Sequence, residues 1–77
     1  MKETLLYILK NIVDHPEDVE VTETTGDSRT ILSVRVHTDD MGKVIGKQGR
    51  IIRAIRDLIK LMAARNNTYA DVVLKEE

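Results

Sequence analysis

Two runs of residues that alternate in polarity, separated by three turn-forming residues, limit the folds open to this chain more than any other feature. Between positions 18 and 25, Val19 and Val21 fall on one face and Glu20 and Thr22 on the other. Between positions 29 and 37, Leu32, Val34 and Val36 share a face opposite Ser33, Arg35 and His37. A period of two belongs to an extended strand with one buried face, and Gly26-Asp27-Ser28 has the composition of a tight turn. The pattern predicts a β-hairpin whose apolar face must be covered. Ile31 is the exception, falling with the polar set.

Segments with the helical period supply the cover. Leu5, Ile8, Leu9, Ile12 and Val13 predict an amphipathic helix over residues 3–13, with Leu6 and Tyr7 widening its apolar stripe. That helix must stop at Asp14-His15-Pro16, because a residue preceding proline is driven out of helical geometry. Thr38-Asp39-Asp40 offers N-cap side chains for a helix of little more than one turn over 41–45. The longest helical pattern runs from Arg50 to about Asn66, with Ile52, Ile55, Ile59 and Met62 as its core stripe and Ile51 and Leu58 beside it. Asn66-Asn67 suits its end, since asparagine tolerates the left-handed conformation that closes helices. Ala70, Val72 and Leu74 then alternate with Asp71, Val73 and Lys75, which predicts a third strand over 69–75. The order α-β-β-α-α-β, with three helices on one face of a three-stranded sheet, gives an α+β two-layer sandwich. All of residues 1–77 form one domain, too small to hold two cores.

Several function classes drop out. No apolar run approaches the ~20 residues needed to cross a bilayer. Met1-Lys2-Glu3-Thr4 lacks the character of a secretion signal, so the cytoplasm is the expected location. The absence of cysteine excludes disulfides and thiolate metal sites. His15 and His37 have no ligand partner at a workable spacing; they read as surface residues, and neither metal nor cofactor is expected. Ser28 and Ser33 lack an adjacent base, and no acidic pair is placed for proton transfer, so an enzyme is not expected.

The net charge of −1 conceals a division. From Asp39 to Asn66 seven cations face three acids, a local charge of +4; the remainder holds five cations and ten acids, or −5. Lys43, Lys47, Arg50 and Arg53 lie within eleven residues of one another, around a pair of glycines. A local field of this kind concentrates a polyanion even on a nearly neutral molecule.

The glycines fail two nucleotide motifs. A phosphate loop needs Gly-x-x-x-x-Gly-Lys followed by Ser or Thr, but only three residues separate Gly42 from Gly46, and Gln48 follows Lys47. A dinucleotide fingerprint needs Gly-x-Gly-x-x-Gly directly after a strand, which the spacing of Gly42, Gly46 and Gly49 does not give. What remains is Gly46-Lys47-Gln48-Gly49 between two helices, preceded by Val44-Ile45 and followed by Arg50-Ile51-Ile52. In that context the chain resembles the KH domain in its type II order, and the run from Asp40 to Arg56 is a near-complete match to the family's pattern. The resemblance extends over the whole chain, to the small stand-alone bacterial KH proteins of the KhpA family. It implies a loop that clamps about four nucleotides of single-stranded RNA through their backbone. It further implies a cytoplasmic RNA chaperone or post-transcriptional regulator linked to cell envelope growth and division. Its expected protein partner is a second KH surface, in a homodimer or a heterodimer.

Roles follow from the chemistry. Glycine at 46 and 49 lets phosphates approach main-chain N–H groups at a helix N-terminus. Lys47 faces the phosphates, Arg50 flanks them, and Lys43 and Arg53 widen the positive approach. Val44, Ile45 and Ile52, with the strand carrying Val34 and Val36, are expected to line an aliphatic groove whose backbone edge reads bases. Gln48 completes the loop. With only Tyr7 and Tyr69 as aromatics, recognition by extensive stacking is disfavoured. Arg56, Lys60 and Arg65 read as a solvated helix face. The competing reading is a protein-interaction or assembly module with a vestigial groove; Ile31, Val73 and Leu61 are candidate contacts for self-association.

Overall fold

The hairpin forms where the alternation places it. In the computed structural model, which describes residues 1–76, β1 (Glu20–Gly26) and β2 (Arg29–Val36) pair antiparallel, with Val21 opposite Val34 and Gly26 opposite Arg29. Ser28 closes the turn with a φ of 57°. A third strand, β3 (Tyr69–Glu76), lies parallel to β2 on its other side, with Tyr69 beside Arg29. The order β1-β2-β3 leaves β2 bonded along both edges, while β1 and β3 each keep one open edge.

Parallel neighbours require a crossover, and this one carries two of the three α-helices. It consists of α2 (Met41–Ile45), a four-residue loop and α3 (Arg50–Arg65); the first helix, α1 (Lys2–Lys10), precedes the sheet. The inner sheet face gives Val21, Leu32, Val34, Val36, Ala70 and Val72 to a single core, met by Leu5 and Leu9 of α1 and by Val44 of α2. From α3 come Ile52, Ile55, Ile59 and Ala63, at the spacing of one helical stripe. The architecture is the expected α+β two-layer sandwich in the order α-β-β-α-α-β. β1 outruns its cover: Glu23 and Thr25 share the phase of Val21 yet are exposed.

The helix ends differ from expectation in one case and match it in the other. α1 stops at Lys10, three residues early. The Asn11 side chain donates to the Tyr7 carbonyl at 2.7 Å, and the Ile12 N–H turns back to Leu9 at 3.0 Å, tightening the last turn. Tyr7 is 72% exposed and takes no part in the apolar stripe. α3 ends as its asparagines require. Asn67 has φ 59°, its N–H reaches Ala64 O, and the Thr68 N–H reaches Ala63 O at 2.9 Å, the paired bonds of a Schellman close.

A larger correction concerns Asp40. It precedes α2 but makes no side-chain cap there. Its carboxylate, almost wholly buried, turns instead to the loop after α1, accepting the backbone N–H groups of Asp14 at 3.1 Å and His15 at 2.9 Å. His37 instead caps the 3-10 turn Thr38–Asp40 that leads into α2, its Nδ1 accepting the N–H of Asp39 at 3.0 Å. A carboxylate can take several donors at once, and here two come from a chain segment 25 and 26 positions away.

Candidate nucleic-acid interface

The loop between α2 and α3 is built from positive φ angles. Gly46 stands at φ 77°, ψ 170°, a region open only to glycine. Gln48 follows at φ 58° and Gly49 at φ 72°. Space constrains Gly46 as firmly as its dihedrals do. A Cβ built there would lie 2.5 Å from Cγ1 of Ile51, which folds over the loop from the first turn of α3. The Gly46 N–H closes α2 onto Gly42 O, and the Gly49 N–H returns to Gly46 O. Among the described residues the N–H groups of Lys47 and Gln48 have no such partner. Two donors therefore remain beside the positive end of a sixteen-residue helix, with exposed Lys47 and Gln48 side chains around them.

The cations continue from the loop along one flank of α3. Arg53, Arg56 and Lys60 are three and four residues apart, so they stack on one side, about 10 Å from end to end. Arg50 sits at the head of the helix, where its Nη2 donates to Gln48 Oε1 at 3.2 Å. Arg53 is exposed. Lys43 is exposed too, but its ammonium rests on the Asp14 carboxylate at 2.8 Å, and that bond holds its pKa above the ordinary lysine value. Its charge is therefore partly compensated.

The expected groove is corrected by burial. Val44 is inaccessible, as are Val34 and Val36, so these three hold α2 and β2 in the core and offer no wall to a ligand. Ile52 is also buried; Ile45 is half-buried, and the surface beside the loop is completed by Ile51. Nor can β2 read bases with its backbone, since both its edges are already paired. The open edge belongs to β3. Tyr69 gives its N–H to Ser28 O at 2.9 Å, so alternate residues from Tyr69 face β2, while Ala70, Val72 and Leu74 turn their peptide groups outward. Arg56 lies against that edge, with its Nε donating to Val72 O at 3.1 Å. Its place was legible in principle: it comes four residues after Ile52 and three before Ile59, at the margin of the core stripe.

Behind α2 lies a polar cluster with no sequence signature. His15 and His37, expected as separate surface residues, stack with ring centroids 4.0 Å apart and planes 15° from parallel. His15 Nδ1 meets Asp40 Oδ2 at 3.0 Å, and this hydrogen bond raises the imidazole pKa above its ordinary 6.5 against the opposing effect of burial. For Asp40 burial pushes the pKa upward, but the N–H of Asp14 and the contacts from His15 outweigh it and hold the carboxyl below 3.8. With Asp39 the two histidines bring three potential ligand atoms within 4.8 Å of one another. A metal–imidazole bond lies in the ring plane, and two nearly parallel planes about 4 Å apart do not converge on one ion.

Known proteins resemble this chain over most or all of its length. The family described as KhpA/KhpB, KH domain, matches residues 2–74. The chain is similar to the RNA-binding protein KhpA of Chlamydia pneumoniae, at 47% identity over 77 residues, covering 100% of this chain and 99% of that protein. It is 52% identical over 67 residues to the RNA-binding protein KhpA of Clostridium perfringens, covering 87% and 89% of the two chains. The RNA-binding protein KhpA of Listeria monocytogenes is 46% identical over 67 residues, covering 87% and 88%.

Two neighbouring glycines should respond in opposite directions. Gly46→Ala forces both the dihedral strain and the contact with Ile51, and should destabilise by about 2 kcal/mol or more in urea unfolding. Gly42→Ala, with open space around its Cβ in α2, should gain roughly 0.5 kcal/mol. Equal effects would contradict the loop geometry. The histidine pair gives a pH test. Since the folded-state pKa of His15 is raised, its contribution is complete below 6.5 and is lost as pH rises through the folded value. The wild-type melting temperature should fall from pH 6 to 8 more steeply than that of His15→Gln; parallel curves would remove the His15–Asp40 bond from the account.

Proposed function

The chain belongs to the KhpA/KhpB family of KH domains, and from that membership we propose that it is a non-catalytic RNA-binding protein that clamps about four unpaired nucleotides at the loop of residues 46–49. The observation that carries the reading is the loop's backbone, with positive φ at Gly46, Gln48 and Gly49 and two N–H groups, of Lys47 and Gln48, that have no backbone partner among the described residues. Phosphate oxygens accept from those N–H groups, and Lys47, Arg50 and Arg53 supply the compensating charge. A clamp of this kind grips backbone and reads few bases. That suits an RNA chaperone or post-transcriptional regulator with many targets, acting in the cytoplasm. The family resemblance links such a role to growth and division of the cell envelope.

One short groove binds weakly, so useful affinity calls for a second KH surface. The flank of α3 opposite Arg53, Arg56 and Lys60 supports that part of the proposal. There Leu58 and Leu61 are exposed, Leu61 to 69%, and a shallow depression lies between them, Met62 and Arg65. A second copy of the chain, or another KH protein, would cover this flank and leave the loop free.

The test of the clamp is the double substitution Lys47→Asp, Gln48→Asp, which puts two negative charges where the phosphates lie. Aspartate tolerates the left-handed conformation at 48, so the fold should survive. Anisotropy with a labelled single-stranded RNA should show binding lost, and wild-type affinity should fall as salt rises. Unchanged affinity would sink the clamp and favour the interaction module. For the apolar flank, Leu61→Lys should shift the sedimentation of a wild-type dimer to that of a monomer while the fold persists. A wild-type protein that sediments as a monomer at every concentration, and gains no mass with a second KH protein, would refute the partner surface.

A further inference from the structure

The open edge of β3 is closed at its centre by the protein's own side chains. Val72 directs both peptide groups away from β2, yet neither is available. Its carbonyl accepts from Arg56 Nε at 3.1 Å, and its N–H donates to Asp71 Oδ1 at 2.8 Å. Both bonds are partly buried, which strengthens them relative to the same contacts in water. A bare strand edge would present one donor beside one acceptor. That pattern complements adenine and cytosine alike, since each offers an amino group next to a ring nitrogen acceptor. Here the pattern has been replaced.

What stands at the edge instead is a guanidinium. Arginine has five N–H donors, and the contact with Val72 uses only the one on Nε. The terminal nitrogens stay fixed in the plane of that contact, as a fork that requires two adjacent acceptors. Cytosine offers them at N3 and O2, and guanine at N7 and O6. Adenine and uracil do not, because on each of their edges a donor interrupts the acceptors. The position is right for a base. Arg56 lies about 9 Å beyond Arg50 along α3, on the flank that carries the other cations away from the loop.

We propose that Arg56, held by Val72 O at the open edge of β3, determines base preference in this groove, selecting cytosine or guanine over adenine one or two nucleotides beyond the clamped phosphates. The proposal rests on the RNA-clamp reading and adds a specificity to it. Side chains read the base here, and the strand's own peptide groups do not.

The experiment uses labelled hexauridylates carrying one central cytosine, guanine or adenine, titrated with the full chain. Wild type should bind the cytosine or the guanine ligand about tenfold more tightly than the adenine ligand, the value of one good bidentate contact. Arg56→Lys keeps the charge and the stem but lacks the fork, so this ratio should collapse towards one. Arg56→Met removes the donors altogether and releases Val72 O, leaving an edge that takes adenine as well as cytosine, so the preference over adenine should be lost. Circular dichroism melts establish that each variant is folded, and if the methionine variant is not, the lysine variant carries the test alone. A ratio unchanged in Arg56→Lys, or a wild type that prefers adenine, would overturn the proposal. Failure of the clamp itself reads differently: Lys47→Asp, Gln48→Asp would then leave binding to all three ligands intact.

Discussion

Asp40 accepts two backbone N–H groups and faces an imidazole while almost wholly removed from solvent, and the position of α2 hangs on that arrangement. A helix of five residues has no stability of its own, since nucleation consumes more than so few bonds return. α2 is kept by what grips it: Val44 in the core, Asp40 on the segment after α1, and Lys43 on Asp14. These contacts join two pieces of chain that the sheet does not connect. The loop at Gly46 begins where α2 ends, so the accuracy with which it presents Lys47 and Gln48 is inherited from a carboxylate six residues upstream.

Much of this fold was legible in the order of residues. The alternation of Val21, Leu32, Val34 and Val36 gave the hairpin, and the stripe of Ile52, Ile55 and Ile59 gave α3, because each signal is local and the burial it encodes was realised. The unusual backbone at Gly46 and Gly49 was likewise readable, since only glycine occupies such a conformation cheaply. Pairings between distant segments were not. Nothing in the spacing of His15, His37 and Asp40 announces that they meet, and an aspartate before a helix reads locally as a cap. Val34, Val36 and Val44 were expected to line a groove because apolarity alone does not separate a core from an apolar surface. Arg56 was passed over for the opposite reason: a cation on a helix reads as solvated unless the neighbouring strand edge is known.

The long helix divides its circumference between two unlike flanks. Its buried stripe leaves two flanks, one with Arg53, Arg56 and Lys60 beside the open edge of β3, the other with Ile51, Leu58 and Leu61. The loop stands at the N-terminal end, where both begin. The helical period sets Arg53, Arg56 and Lys60 apart from these apolar residues, so that in the proposed function one sixteen-residue element would meet a polyanion on one side and a protein on the other.

The parallel pairing of β2 with β3 has a consequence for how the site comes into being. Each residue of β2 is matched with one forty positions further on, and the whole clamp lies inside the segment that this pairing closes. Contacts so distant along the chain form late, because the entropy of closing the intervening loop comes before any reward from the strand. Arg56 cannot find Val72 until the crossover is shut. The contact of Arg56 with the edge of β3 thus arrives with global folding, whereas the turn at Gly46 is held by local bonds. A bound oligonucleotide would then act as a staple across the slowest contact in the molecule, and its grip would be felt in the lifetime of the entire fold.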